Sequence, residues 1–371
     1  MKCKINNLEV FHHRSKLNKT LQKIRSGKLT VGFIGGSITE SIGGHNWPET
    51  VISWFINTYP NLYLVVENCA IGATASDLAV FRAERDLIDR GCDLVFIEYA
   101  VNDSGLVTEL RNRTMEGLVR KIFNKGGSDV VFIYTFGHGM YTKMMAGQIP
   151  SPIAEFEIIA EHYCIGSVWA GLWALNEVRS GKMRWEVWLP DRMSVHPSHM
   201  GSFSYAQSVI KFLEKELIET PSEKQISTGD CLPRALNSKN WEHAYLLPFS
   251  EIDTDGPWST QRWATCNWID QVLATSAPGA KLRFKFKGRG LSLGFDFGKF
   301  SSEFKYKIDE SKPIVEKRPR YEWCPDEGLF SISNLIDDLD SKEHKFELEV
   351  IHTGNAAYGT NFRLALIGII P

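Results

Sequence analysis

LTVGFIGGSITE (residues 29–40) is the stretch from which the rest of the chain can be read. Val31, Phe33 and Ile34 give it the continuous apolar character of a buried strand. The run breaks at Gly35-Gly36, and Ser37 stands where a strand gives way to a loop and then a helix. Two glycines allow a sharp turn and leave room for a ligand beside the hydroxyl. A fold displays a nucleophile in this way, but a serine after two glycines is also an ordinary turn residue. Ser37 therefore needs partners elsewhere in the chain.

Working outward, the same strand-then-helix alternation recurs. Residues 46–60 (NWPETVISWFINTYP) read as a helix with Pro48 near its start, and 62–70 (LYLVVENCA) as a second strand running into Ile71-Gly72. A helix follows, with Ser76 as the expected N-cap and Gly91 as its stop. The third strand is 92–100 (CDLVFIEYA), ending at Val101-Asn102-Asp103, and the fourth is 129–137. Residues 108–124 and 152–163 read as helices, 165–169 as a weaker strand, and an amphipathic helix starts near His199. Residues 8–28 alternate loosely and read only as a lead-in to the first strand. Strands alternating with helices predict βαβ units and a parallel sheet covered on both faces, a three-layer α/β/α domain over residues 1–220.

The pattern changes after residue 220. Residues 221–235 are polar with Pro, Ser and Gly, as a linker would be, and from 236 to 371 the period becomes two. KLRFKFKGRGLSLGFDFG, HKFELEVIHTG and FRLALIGII predict a C-terminal antiparallel β-sandwich of jelly-roll type. Trp258, Trp263 and Trp268 could serve its core or a binding face, with core preferred.

Composition narrows the function. With 371 residues the chain has length for two or three domains. A net charge of −2 and no long basic run give no reason to expect a nucleic-acid partner, and no window approaches the apolar length of a membrane span. The N-terminus is interrupted by charges and lacks the apolar core of a signal peptide, so a cytoplasmic location is expected. Seven dispersed cysteines without CxxC spacing point to neither a disulfide framework nor a metal site, and no cofactor is expected. GxxxxGK[ST] and GxGxxG are both absent, which removes the phosphate-loop and dinucleotide readings.

In an open parallel sheet, ligands bind outside the carboxyl ends of the strands. Those ends carry Ser37, Gly72 and Asn102-Asp103, and the polar segment LPDRMSVHPSHMG (189–201) adds His196 and His199. A serine needs a base, which a histidine supplies near neutrality, and a tetrahedral intermediate needs fixed donors around its oxyanion. The backbone N–H groups of Ser37 and Gly72 and the side-chain amide of Asn102 are three such donors.

This set resembles the SGNH (GDSL-like) hydrolase superfamily, and the resemblance covers about residues 29–218. GGSIT is similar to its serine block, NCAIGAT to its glycine block, IEYAVND to its G-x-N-D block with Ala100 in place of glycine, and VHPSHMG to its histidine block. It implies a flavodoxin-like fold, Ser37 as nucleophile, His196 as base, and Ser37, Gly72 and Asn102 as the oxyanion hole. The family's acid lies three residues before the histidine, where this chain has Met193. Asp191 is the nearest substitute, the alternatives being a backbone carbonyl or another acid. Glu40, His45 and Trp47 either line the pocket or are solvated loop positions, the two readings being level, and Asp103 is a further pocket candidate. Trp185 and Trp188 could wall a sugar site or simply pack, with packing preferred.

With the C-terminal sandwich, the resemblance implies a carbohydrate esterase that removes an acyl group, most simply acetyl, from a glycan. A polysaccharide O-acetyltransferase, which would need an acetyl donor, is the alternative within the same chemistry. A non-catalytic carbohydrate-binding protein is the alternative outside it. The oligomeric state is not legible.

Overall fold

The computed structural model describes residues 8–14, 16–41, 45–190, 195–219, 232–316, 324–354 and 359–371. The chain divides into two compact units, Met1–Glu242 and His243–Pro371.

The first unit is built on strands β1 (Phe11–His12), β2 (Lys28–Gly35), β3 (Tyr63–Asn68), β4 (Leu94–Glu98), β5 (Asp129–Ile133) and β6 (Gly166–Val168). Their order is β1-β6-β5-β4-β2-β3. All pairings are parallel except that of β1, which runs antiparallel to β6. The central strands explain the apolar runs in the sequence. Six consecutive residues from Leu29 to Ile34 on β2, and every residue of β4, are buried, because helices cover both faces. Helices Trp47–Thr58, Ala170–Arg179 and His199–Glu214 pack together as one layer, and Ser76–Ala83, Thr108–Lys121 and Ser151–His162 as the other. The result is the expected α/β/α sandwich.

Two features of the lead-in were not anticipated. Phe11–His12 forms the edge strand, and residues Asn18–Arg25 form a helix tied by the Thr20 N–H and hydroxyl to the Asp129 carboxylate. Ser76 also departs from expectation. Ala75 is the N-cap, and Ser76 is the first helical residue, its N–H and hydroxyl both drawn to buried Asp103. Gly91 does end its helix region, with φ 69°.

In the sequence the second domain begins at 236, yet residues 236–242 pack on the first unit. The Leu236 and Asn237 N–H groups donate to the Glu116 carboxylate at 2.6 and 2.8 Å. Trp241 is fully buried against Phe81 and directly over Gly117. A Cβ on Gly117 would lie 2.6 Å from the Trp241 backbone nitrogen, so the close approach requires glycine.

The second unit pairs its strands antiparallel in two sheets. One runs Phe330–Ile336, Gly290–Asp296, Phe362–Ile370, Val272–Thr275 and Ser259–Gln261, with Tyr245–Leu246 beside Phe362–Ile370. The other runs Ile314–Val315, Glu303–Ile308, Lys342–Ile351, Lys281–Gly288 and Asp253–Asp255. Phe295 of the first sheet meets Phe304 of the second edge-on at 4.9 Å, and within the second Phe284 stacks on its cross-strand neighbour Phe346 at 4.8 Å. Along Lys281–Gly288 the apolar positions are buried, while Arg283 and Lys285 face out toward Glu347 and Glu343. Trp263 is buried, and half-buried Trp258 and Trp268 pack against Phe362 and Phe330.

Candidate active site

The chain passes from β2 to β3 on one side and then crosses to β4 on the other, which makes the carboxyl ends of these three strands the switch point of the sheet. Ser37 begins a one-turn helix, Ser37–Glu40, immediately after β2. Its Oγ lies 2.7 Å from Nε2 of His196, in the segment before the helix His199–Glu214. Both residues are half-buried. The histidine loop is held from two sides. The Ser198 N–H donates to the Trp188 carbonyl at 2.9 Å, and His45 Nε2 lies 3.0 Å from the Pro197 carbonyl oxygen. Asp191, with Met193, lies outside the described residues.

Asn102 packs directly over Gly36. A Cβ on Gly36 would lie 2.4 Å from Asn102 Oδ1 and 2.6 Å from its Nδ2, so glycine is what admits the amide beside Ser37. Among the described residues the Asn102 side chain and the Ser37 N–H have no hydrogen-bond partner, and both are within a half-exposed surface. The expected third donor behaves differently. The Gly72 N–H donates to Glu40 Oε2 at 2.7 Å.

No family model and no curated protein sequence matches the chain. Solved structures do. A two-domain esterase (CEX) active on acetylated mannans, co-crystallised with mannopentaose, superimposes with a TM-score of 0.79 at 21% identity, covering 100% of this chain and 98% of that one. A second structure of such an esterase gives 0.77 at 22% identity, covering 98% and 96%. The chain has the two-domain esterase fold.

The turn that carries Ser37 rests on a carboxyl group that sequence reasoning passed over. Glu98, the last residue of β4, is fully buried. It accepts from the hydroxyls of Thr39 (3.0 Å) and Thr135 (2.7 Å) and from the Gly36 backbone N–H. Burial pushes its pKa up to about 7, and these three bonds oppose the rise. Thr39 is fixed further by the Trp47 indole N–H on its hydroxyl and by the Asn46 and Asn68 amides on its carbonyl. The only sequence signal for Glu98 was a lone acid inside an apolar strand.

Two expected pocket residues, Asp103 and Trp47, are placed otherwise. Asp103 is fully buried and turned away from solvent, accepting from the Ser76 N–H at 2.9 Å and the Ser76 hydroxyl at 2.5 Å. Burial raises its pKa to about 8. It ties the end of β4 to the turn after β3, because a carboxylate in the interior must collect hydrogen bonds. Trp47 is likewise fully buried and serves Thr39. Trp188 is fully buried beneath Phe136, whereas Trp185 is half-exposed and meets Tyr141 edge-on at 5.5 Å. Glu40 is exposed, and half-buried His45 faces His199 edge-on at 6.0 Å. Among the described residues no group of three or more His, Cys, Asp or Glu side chains could hold a metal ion, and no helix is long and apolar enough to cross a membrane.

Proposed function

We propose that the protein is a serine esterase that removes acetyl groups from a carbohydrate through an acyl-enzyme. The observation that carries this reading is the 2.7 Å contact between Ser37 Oγ and His196 Nε2 beside two donors without a partner among the described residues, the Ser37 N–H and the Asn102 amide. His196 Nε2 takes the hydroxyl proton as Oγ attacks the ester carbonyl carbon. The Ser37 N–H, the Asn102 side chain and one N–H of the turn after β3 receive the oxyanion. As the tetrahedral intermediate collapses, the proton passes from His196 to the departing sugar oxygen. Water then repeats the sequence on the acetyl-serine, releasing acetate. Asp191 is assigned the task of orienting His196 through its other nitrogen.

The esterases of matching fold act on acetylated mannans, so an acetylated mannan is the first polymer to test. The decisive experiment compares wild type and Ser37→Ala on p-nitrophenyl esters of increasing acyl length and on acetylated mannan, with released acetate measured. Fastest turnover of the acetyl ester, abolished by Ser37→Ala, is expected. Activity surviving that substitution would sink the mechanism, and Asp191→Asn with wild-type rates would remove Asp191 from it.

A further inference from the structure

We infer that Glu40 is a positioning residue: its carboxylate holds the Gly72 N–H, and the oxyanion donor of this turn is the N–H of Ala73. The inference rests on the esterase reading above and names one part of its site.

The turn after β3 uses its N–H groups in order. Cys69 donates to the Phe33 carbonyl at 2.8 Å, Ala70 to Asn68 Oδ1 at 3.2 Å and Ile71 to the Gly35 carbonyl at 3.0 Å. Gly72 donates to Glu40 Oε2 at 2.7 Å. A single N–H already given to a carboxylate makes a charge-assisted bond, and that carboxylate would repel an oxyanion arriving at the same proton. The first N–H in the turn with no partner among the described residues is that of Ala73. Ala73 is exposed, and its φ of 57° puts an L-residue in the left-handed region, which costs energy unless the surroundings hold it there. Two bonds do so: Glu40 on Gly72, and the Thr74 hydroxyl on the Ile71 carbonyl at 2.7 Å. Glu40 lies in the one-turn helix that Ser37 begins, so the same short element carries the nucleophile and sets the turn that supplies the second donor.

The test uses the intact protein labelled with ¹⁵N-alanine and ¹⁵N-glycine, with Ser37 converted to a tetrahedral phosphoryl adduct by diethyl p-nitrophenyl phosphate. The phosphoryl oxygen stands in for the oxyanion. The Ala73 amide proton, identified by its loss in Ala73→Gly, should move downfield and the Gly72 amide should stay. If Ser37 is modified and the Gly72 proton moves instead, this assignment fails while the esterase reading stands. If Ser37 is not modified, both fail. In the kinetic arm, Glu40→Ala should lower kcat on p-nitrophenyl acetate about tenfold with little change in KM, and Glu40→Gln, which keeps an acceptor for Gly72, should recover most of it. An increase in kcat/KM for Glu40→Ala would mean the carboxylate obstructs a Gly72 donor, and would overturn the proposal. The spectroscopic arm needs no Glu40 variant, so a folding defect in Glu40→Ala leaves it decisive.

Discussion

Glu98 ends β4 and Asn102 lies four residues beyond it, and they show how differently single residues declare themselves. Asn102 was legible because it follows an apolar strand in the order that the serine and glycine blocks begin. Its side-chain amide, packed on Gly36 and without a hydrogen-bond partner among the described residues, is suited to receive an oxyanion. Asn102→Ala should therefore lower kcat on p-nitrophenyl acetate by about 10²–10³, the usual effect of losing one such donor. A change under threefold would exclude the role. Glu98 was not legible, since an acid within an apolar strand shows neither its burial nor its three hydrogen-bond donors. Its consequence is a pH-dependent stability. The folded-state pKa, about 7, exceeds the ordinary 4.5, so the native state keeps a proton that the unfolded chain gives up. Stability then falls as pH rises from about 4.5 to about 7, by a cost on the order of 3 kcal/mol from this group. Asp103, raised to about 8, acts in the same direction. Thermal melts should show Tm declining between pH 5 and pH 8, and Glu98→Gln should flatten the decline to the part due to Asp103 and to Asp129, which burial raises to about 6. An unchanged slope in the variant would locate the dependence elsewhere.

At the scale of elements, long apolar strands announced themselves and short or polar-tied ones did not. β2, β4 and β5 are buried on both faces, so their sequences are continuous apolar runs. The two-residue β1 has too few side chains to show a period, and Ser76 looks like a cap because the acid that captures it, Asp103, lies on another strand end. The same logic of contacts across elements governs Gly36. The three atoms a methyl group there would approach most closely all belong to the Asn102 side-chain amide, which can swing aside. Gly36→Ala should fold with a Tm close to wild type while losing most of its kcat, because the displaced amide no longer faces the reacting carbonyl. Equal losses of stability and activity would mean the turn itself had broken. Asn46 tests the neighbouring element. It caps the helix Trp47–Thr58 by accepting from the Glu49 N–H at 3.0 Å and also donates to the Thr39 carbonyl. Asn46→Ala should cost about 1 kcal/mol in stability, measured by urea unfolding.

For the whole molecule, the change from helical to alternating period made the two-part organisation visible, but composition could not locate the break. Residues 236–242 are polar enough to read as the start of the second domain, and what binds them to the first is contact rather than pattern. Trp241 is fully buried, and Glu116, itself 1% exposed, accepts the N–H groups of Leu236 and Asn237. Every described residue assigned to catalysis lies before Glu242, where the first unit ends. Truncation after Glu242 should therefore leave a folded protein that hydrolyses p-nitrophenyl acetate. Truncation after residue 220 removes the buried indole and leaves the Glu116 carboxylate with only the Tyr163 hydroxyl, 2.6 Å away, of these partners. Loss of a buried tryptophan typically costs about 3–5 kcal/mol, and a stripped interior carboxylate adds to it. The shorter form should melt well below the longer one, with activity falling in proportion to the unfolded fraction. Identical Tm values for the two would show that the 232–242 segment is dispensable to the catalytic unit.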